Sequence, residues 1–220
     1  MAAVEQTGLT GLYAITPDWT DTGRLLATTR DILDGGCRLV QYRNKTAVSG
    51  LRLEQARALR ALTAAYAARL IVNDDIALAL AVGADGVHLG RHDVNLIAAR
   101  AALGPGALLG ASCYQSLPMA QAAVSAGADY VAFGSVFPSP TKPLAGRATP
   151  ALLAEAVRAL PVPVAAIGGI TSDNARGLIE TGVHLLAVIT ALYDAPDPRR
   201  TAARFTAFFA TGKEQHDLPQ

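Results

Sequence analysis

Short apolar runs alternate with longer segments of helical spacing along the whole chain, and eight such pairs can be counted. The runs read as strands over residues 11–15, 39–42, 70–72, 86–89, 108–111, 130–133, 162–167 and 185–189. Many consist of Val, Ile and Leu without polar alternation, as expected of parallel strands buried on both faces. Between the strands, Leu51, Leu59, Leu62 and Tyr66 share one face of the second helical segment. Ala175, Leu178 and Ile179 do the same after the seventh strand, with Thr171 and Ser172 as the expected N-capping residues. Gly35-Gly36, Gly83, Gly127 and Gly182 stand where helices should close. The phrases Val82-Gly-Ala-Asp85 and Ser125-Ala-Gly-Ala-Asp129 mark the same helix-to-strand turn twice.

Eight βα units without a linker predict an α/β protein: a single-domain (β/α)8, or TIM, barrel of parallel strands spanning 1–220, with loose ends near 1–10 and 211–220. An open doubly wound sheet is the structural competitor. It usually has fewer strands and a Gly-rich phosphate turn after the first, whereas the first strand here runs Ala14-Ile15-Thr16-Pro17.

Composition narrows the partners. Aromatics make up only 5% of the 220 residues, so the core must be built mainly from Ala, Leu, Val and Ile. The charge balance, 19 Lys+Arg against 18 Asp+Glu, leaves +1 and no global field for nucleic acid or an anionic membrane. The uncharged stretch 101–128 contains Gly104, Pro105, Gln115, Ser116, Pro118 and Gln121, so it does not read as a membrane span. The first ten residues, MAAVEQTGLT, lack the basic start and apolar run of a signal peptide. Cys37 and Cys113 make no disulfide framework and fit a reduced cytoplasm. The expectation is a cytoplasmic protein of small-molecule substrates, with no nucleic-acid or membrane partner; a homo-oligomer stays open.

A barrel builds its reaction site from the loops after its strands, and the polar residues there are unusually rich. The second strand runs into Gln41-Tyr-Arg-Asn-Lys45, with Gln41, Arg43 and Lys45 at alternating positions. The third ends in Asn73-Asp74-Asp75, the fourth leads to Asp93, and the fifth ends at Ser112. The sixth leads into Gly134-Ser-Val-Phe-Pro138-Ser-Pro-Thr-Lys142. Asp74 and Asp93, from adjacent strand ends, could share one Mg²⁺, which takes a few carboxylates plus phosphate oxygens. Arg43, Lys45 and Lys142 would surround that metal with positive charge suited to a diphosphate. The bland alternative is that Asp75 or Asp93 caps a helix. At Gly168-Gly169-Ile170-Thr171, adjacent glycines and a helix starting near Thr171 predict an anion site, close to Thr190 after the eighth strand. An ordinary αβ turn is the alternative there.

At these residues the chain resembles the thiamine-phosphate synthase family. The resemblance rests on Leu12-Tyr-Ala-Ile-Thr-Pro17, Gln41-Tyr-Arg-Asn-Lys45, Val72-Asn-Asp-Asp75, Ala84-Asp-Gly-Val-His-Leu-Gly90 with Asp93, Gly110-Ala-Ser112, Phe137-Pro-Ser-Pro-Thr-Lys142 and Ala166-Ile-Gly-Gly-Ile170, in the family's order. It implies coupling of 4-amino-5-hydroxymethyl-2-methylpyrimidine diphosphate to a thiazole phosphate, giving thiamine phosphate and pyrophosphate with Mg²⁺ as cofactor. It further implies that Asp74 and Asp93 ligate Mg²⁺ and that Arg43, Lys45, Asn73 and Lys142 hold the diphosphate. Gln41 would lie at the pyrimidine with Ser112 nearby, and Ser139, Thr141, Gly169, Ile189 and Thr190 would receive the thiazole phosphate. Tyr42, Ser139 and Thr190 vary the family's commoner wording, and Tyr114 stands where some members have His.

Other residues invite blander readings. Cys113 has no activating base beside it in sequence and reads as a buried thiol. His88 reads as a hydrogen-bonding residue of the barrel mouth ahead of a metal ligand. His184 looks incidental, and the sequence leaves open whether Trp19 covers the mouth or packs beside it. Two other functions compete. A related barrel isomerises a thiazole tautomer by proton transfer, but it does not need Arg43, Asn73, Asp74, Asp93 and Lys142, and Tyr114 replaces a His proton carrier. A non-catalytic phosphate-binding barrel is allowed by the fold alone, yet it need not keep leaving-group residues.

Overall fold

Eight strands close on themselves in sequence order, every neighbour parallel, with β1 (Gly11–Ile15) hydrogen-bonded to both β2 (Leu39–Tyr42) and β8 (Leu185–Val188). The computed structural model describes residues 8–90, 95–138 and 147–210. The remaining strands are β3 (Arg69–Asn73), β4 (Gly86–Leu89), β5 (Leu108–Tyr114), β6 (Tyr130–Gly134) and β7 (Val164–Ile167). The helices are α1 (Thr22–Asp34), α2 (Ser49–Ala65), α3 (Ile76–Val82), α4 (Leu96–Leu103) and α5 (Leu117–Ser125), followed by α6 (Pro150–Ala159), α7 (Arg176–Ile179), α8 (Thr190–Tyr193) and α9 (Pro198–Ala210). This is the (β/α)8 barrel expected from the alternation of strands and helices. No helix among the described residues is long and apolar enough to cross a membrane.

The period of two along each strand divides the core. Leu12, Ala14, Val40, Val72 and Val87 face outward into a large cluster shared with Leu25, Leu33, Leu59 and Leu153 of the helices. Tyr13, Ile15, Leu39, Ile71, Tyr130, Ala132, Ala165, Leu185 and Ala187 face inward and form a second, smaller cluster. Leu9, inside the stretch expected to be loose, is buried and belongs to that inner cluster.

Several boundaries differ from the sequence expectation. The seventh strand begins at Val164 and not at residue 162, because Pro161 and Pro163 flank Val162 and neither can donate to the ladder. The fifth strand continues to Tyr114 through a register shift between Ser112 and Tyr114. Thr171 and Ser172 do not cap a helix: the helix after β7 starts at Arg176 with Ala175 before it. The Thr171 amide instead donates to Asn174 Oδ1 (2.8 Å), and Asn174 Nδ2 donates to the Gly169 carbonyl (3.0 Å). An Asn-closed turn has taken the place of the first helical turn.

The repeated Gly-Ala-Asp phrase has a physical meaning. Asp85 donates its amide to the Leu70 carbonyl (2.8 Å) and accepts the Leu70 amide on Oδ2 (2.7 Å). Asp129 makes the same pair of bonds with Leu109, each 2.7 Å. His184 repeats it a third time, donating its amide to the Val164 carbonyl (2.9 Å) and accepting the Val164 amide on Nδ1 (3.1 Å). These three residues start β4, β6 and β8 by binding the strand before each, so His184 is an acceptor standing where the other two turns use Asp.

A ring nitrogen that accepts must be unprotonated, and burial lowers the His184 pKa from its ordinary value. As pH falls through the ordinary His range, the unfolded chain binds the proton first, so the folded state loses stability. His184→Asn keeps an acceptor and cannot titrate. Its unfolding free energy should fall less between pH 7 and pH 5 than that of the parent chain, as read by urea denaturation. Equal slopes would remove His184 from the account.

Candidate active site

The alternation that fills the barrel also aims its upper residues. Gln41 follows Leu39 by two positions, Asn73 follows Ile71, and Ile189 follows Ala187, so each continues an inward-facing row at the carboxyl rim. Ser112 joins them through a hydrogen bond between its hydroxyl and His88 Nε2 (2.9 Å). Gln41 is buried, and its Nε2 donates to the Tyr13 hydroxyl (2.6 Å). The strand ends at Tyr42, so Arg43 and Lys45 lie on the loop beyond it.

That loop is tied down by the loop after β1. The Thr16 hydroxyl accepts the Arg43 amide (2.8 Å) and donates to the Arg43 carbonyl (2.9 Å). Asp18 accepts from Arg43 (3.1 Å) and from the Lys45 amide (2.7 Å). The Trp19 carbonyl accepts from Asn44 Nδ2 (3.0 Å) and Gln55 Nε2 (2.9 Å), while the Tyr42 hydroxyl donates to Gln55 Oε1 (2.9 Å). Tyr42 is therefore part of a buried polar knot. Trp19 packs edge-on against Tyr193 at 5.7 Å between ring centres, with the Arg24 guanidinium 3.7 Å from its own ring centre.

The next strand end meets this loop directly. Lys45 Nζ lies 3.0 Å from Asp74 Oδ2, joining the cation of one strand end to the carboxylate of the next. Asp74 holds a left-handed backbone, φ 62°, and its amide donates to the His88 carbonyl (2.9 Å). Asp75 is the helix cap: its side chain accepts the Leu78 amide (2.8 Å) and pairs with Arg52. The three consecutive polar residues Asn73, Asp74 and Asp75 thus divide between barrel axis, rim and helix.

Below the rim, Tyr13 and Tyr130 hydroxyls lie 2.7 Å apart, and Tyr130 reaches His88 Nδ1 at 3.1 Å. Burial pushes the His88 ring down to about 4, leaving it neutral near pH 7, and raises both tyrosines well above the ordinary value. Cys113 is buried and its thiol pushed up to about 12 by desolvation, which leaves it no thiolate to attack with.

On the far side of the mouth, the loop after β6 lies on the end of β7. The Val136 amide donates to the Ile167 carbonyl (3.0 Å) and the Phe137 amide to the Gly168 carbonyl (3.1 Å). Gly168 and Gly169 both hold positive φ, and a Cβ on Gly169 would lie 2.8 Å from the Pro138 carbonyl. The helix after β7 begins only at Arg176, and the short helix after β8, α8, starts at Thr190. Asp93, Ser139, Thr141 and Lys142 lie outside the described residues. Among the described residues no cluster of three or more His, Cys, Asp or Glu could hold a metal ion by itself. A single rim carboxylate such as Asp74 nevertheless suits Mg²⁺, which keeps several waters and takes few protein ligands.

Comparisons with known proteins show the family. The family model described as thiamine monophosphate synthase matches residues 12–192. The chain belongs to the thiamine-phosphate synthase family. It is 55% identical over 205 residues to the thiamine-phosphate synthase of Thiobacillus denitrificans, covering 93% of this chain and 97% of the relative. The thiamine-phosphate synthase of an Azoarcus species is 54% identical, with coverage of 91% and 97%. Among solved structures, thiamine phosphate pyrophosphorylase from Pyrococcus furiosus superposes with a TM-score of 0.82 at 38% identity, over 92% of this chain and 96% of that one. This family member is accordingly a transferase of thiamine biosynthesis.

Three residues were not anticipated: Asp18, Tyr13 and Tyr130. Asp18 carries the usual signal, a polar side chain just past a strand end, but a lone Asp after Pro17 reads as a turn residue. The contact between Tyr13 and Tyr130 joins residues 117 apart and leaves no local pattern. Gly110 accommodates that contact, since a Cβ there would overlap the Tyr130 ring and hydroxyl. Gly110→Ala should destabilise the barrel by roughly 1–3 kcal/mol through overpacking. Urea unfolding measures this, and an unchanged midpoint would mean the Tyr130 ring moves freely.

Proposed function

We propose that the protein joins 4-amino-5-hydroxymethyl-2-methylpyrimidine diphosphate to a thiazole phosphate, yielding thiamine phosphate and pyrophosphate. The contact that best supports this reading within the family is Lys45 against Asp74, which brings a cation and a carboxylate together at one rim beside Arg43. The reaction needs no protein nucleophile, in keeping with an inert Cys113. The bond from the pyrimidine methylene carbon to the diphosphate oxygen breaks with its electron pair leaving on pyrophosphate. The resulting cation is spread over the aminopyrimidine ring, and the thiazole nitrogen donates its lone pair to the methylene carbon.

The chain's task is to bind, align and stabilise departing charge. Arg43, Lys45, Asn73 and Lys142 hold the diphosphate oxygens, and Gln41 with Ser112 meets the pyrimidine. Ser139, Thr141, Gly169, Ile189 and Thr190 hold the thiazole phosphate. Asp74 and Asp93 would hold Mg²⁺, which supplies charge neutralisation to the leaving diphosphate when bound. Asp18 keeps Arg43 and the Lys45 backbone in place while the substrate enters. Two unpaired buried thiols support a cytoplasmic setting.

Purified protein given both substrates and Mg²⁺ should release thiamine phosphate and pyrophosphate in equal amounts; no product while both substrates bind would overturn the proposal. Asp93→Ala should lose Mg²⁺-dependent turnover and keep its thermal transition, because the helix that follows is capped by Asn95, whose Oδ1 accepts the Ile97 amide (2.8 Å); activity at the parent level would take Asp93 out of the metal set. Lys142→Ala should slow the single-turnover release of pyrophosphate by about 10²-fold. An unaltered rate would take Lys142 out of the leaving-group set.

A further inference from the structure

The geometry points to Tyr13, Tyr130 and His88 as positioning residues that couple Gln41 to Ser112 across the barrel, so that the two ends of one hydrogen-bond chain read a ligand's donor and acceptor together. The inference rests on the proposed function only in naming the ligand as a pyrimidine. The chain itself is a property of the barrel.

Its path is set by the sheet register. His88 of β4 pairs with Gly110 of β5, and Gly110 pairs with Tyr130 of β6. Side chains two strands apart start about 9–10 Å from each other, and an intervening side chain would separate them. With glycine between them, the His88 and Tyr130 rings approach to 5.5 Å between centres. Tyr130 then meets Tyr13 from the opposite wall, edge to face at 5.8 Å. Gln41, Tyr13, Tyr130, His88 and Ser112 thereby form one continuous series with contacts of 2.6, 2.7, 3.1 and 2.9 Å.

Counting protons gives that series a direction. The Tyr13 oxygen accepts from Gln41 Nε2, so the single Tyr13 proton goes to Tyr130. The Tyr130 proton goes in turn to His88 Nδ1. A neutral ring that accepts at Nδ1 carries its proton on Nε2 and donates it to Ser112. The Ser112 proton is then left for a ligand, as is the Gln41 carbonyl oxygen at the other end. One end accepts and the other donates, and the two polarities are linked. Turning the Gln41 amide over would reverse every bond down to Ser112.

An aminopyrimidine edge offers an exocyclic N–H donor beside a ring-nitrogen acceptor, which complements an accepting Gln41 and a donating Ser112. The 4-oxo analogue carries a carbonyl and a ring N–H, the opposite order. To accept it, the whole series must reverse, and a partial reversal leaves a buried group without a partner. Removing the Tyr130 hydroxyl cuts the series, after which each end can turn independently.

The test uses the full-length protein in two measurements. At pH 7 without ligand, ¹⁵N NMR of His88, assigned by comparison with His88→Asn, should show the proton on Nε2. A proton on Nδ1 overturns the proposal. Calorimetry should then compare the 4-amino and 4-oxo forms of 5-hydroxymethyl-2-methylpyrimidine monophosphate, with no thiazole phosphate present. The parent chain should favour the amino form by about 10²-fold or more, and Tyr130→Phe and Tyr13→Phe should each reduce that ratio to within about tenfold. A ratio retained in both variants, with thermal transitions intact, also overturns it. If neither pyrimidine binds the parent chain, the His88 tautomer alone decides the hydrogen-bond series, and the proposed function is decided separately by turnover of the diphosphate.

Discussion

A strand in a closed parallel sheet has partners on both sides, so none of the eight here offers an unpaired edge. Closure also fixes direction. All the carboxyl ends arrive at one rim, and every second side chain points into an interior that must be filled. The lower interior is filled with apolar groups, from Leu9 and Leu39 to Ile71 and Leu185. Nearer the rim the filling becomes polar, and the buried groups among it need hydrogen-bond partners. Gln41, Tyr13, Tyr130, His88 and Ser112 meet that demand with one another. The floor of the candidate site is thus the uppermost layer of the core.

The same division of labour runs outward from the strands. Asp85, Asp129 and His184 fasten alternate strands at the end remote from the chemistry, using one hydrogen-bond pattern. At the chemical end, the loop after β1 fastens the loop after β2 through Thr16, Asp18 and the Trp19 carbonyl. Stability and chemistry therefore draw on opposite ends of the barrel, as is usual for this architecture.

The strands were legible because buried parallel strands leave continuous Val, Ile and Leu runs, and closure followed from counting eight of them. Their ends were less so. Proline flanking Val162 and the shift beyond Ser112 alter ladder bonding without changing the apolar run. The late start of α7 was hidden because Thr171 and Ser172 are good capping residues, and only the Asn174 side chain reveals that the turn closes differently. Gln41, Arg43, Lys45, Asn73, Asp74 and Ser112 could be picked out as polar residues at strand ends. Asp18 lacked a polar neighbour to draw notice to it. Tyr13 and Tyr130 sit in apolar runs where an aromatic ring reads as packing, and their hydroxyl contact exists only after the barrel closes. The division between Asp74 at the rim and Asp75 at a cap also needed the fold, since adjacent identical residues carry no label.

The pairing of Arg43 with Asp18 and of Lys45 with Asp74 affects how a ligand arrives. Each described cation at this part of the rim already has an anion beside it, so its long-range field is largely cancelled before any phosphate approaches. On the proposed function, attraction would grow only at short range, where phosphate oxygens would compete with the two carboxylates for the same N–H groups. Discrimination among small anions would then fall to that exchange of partners.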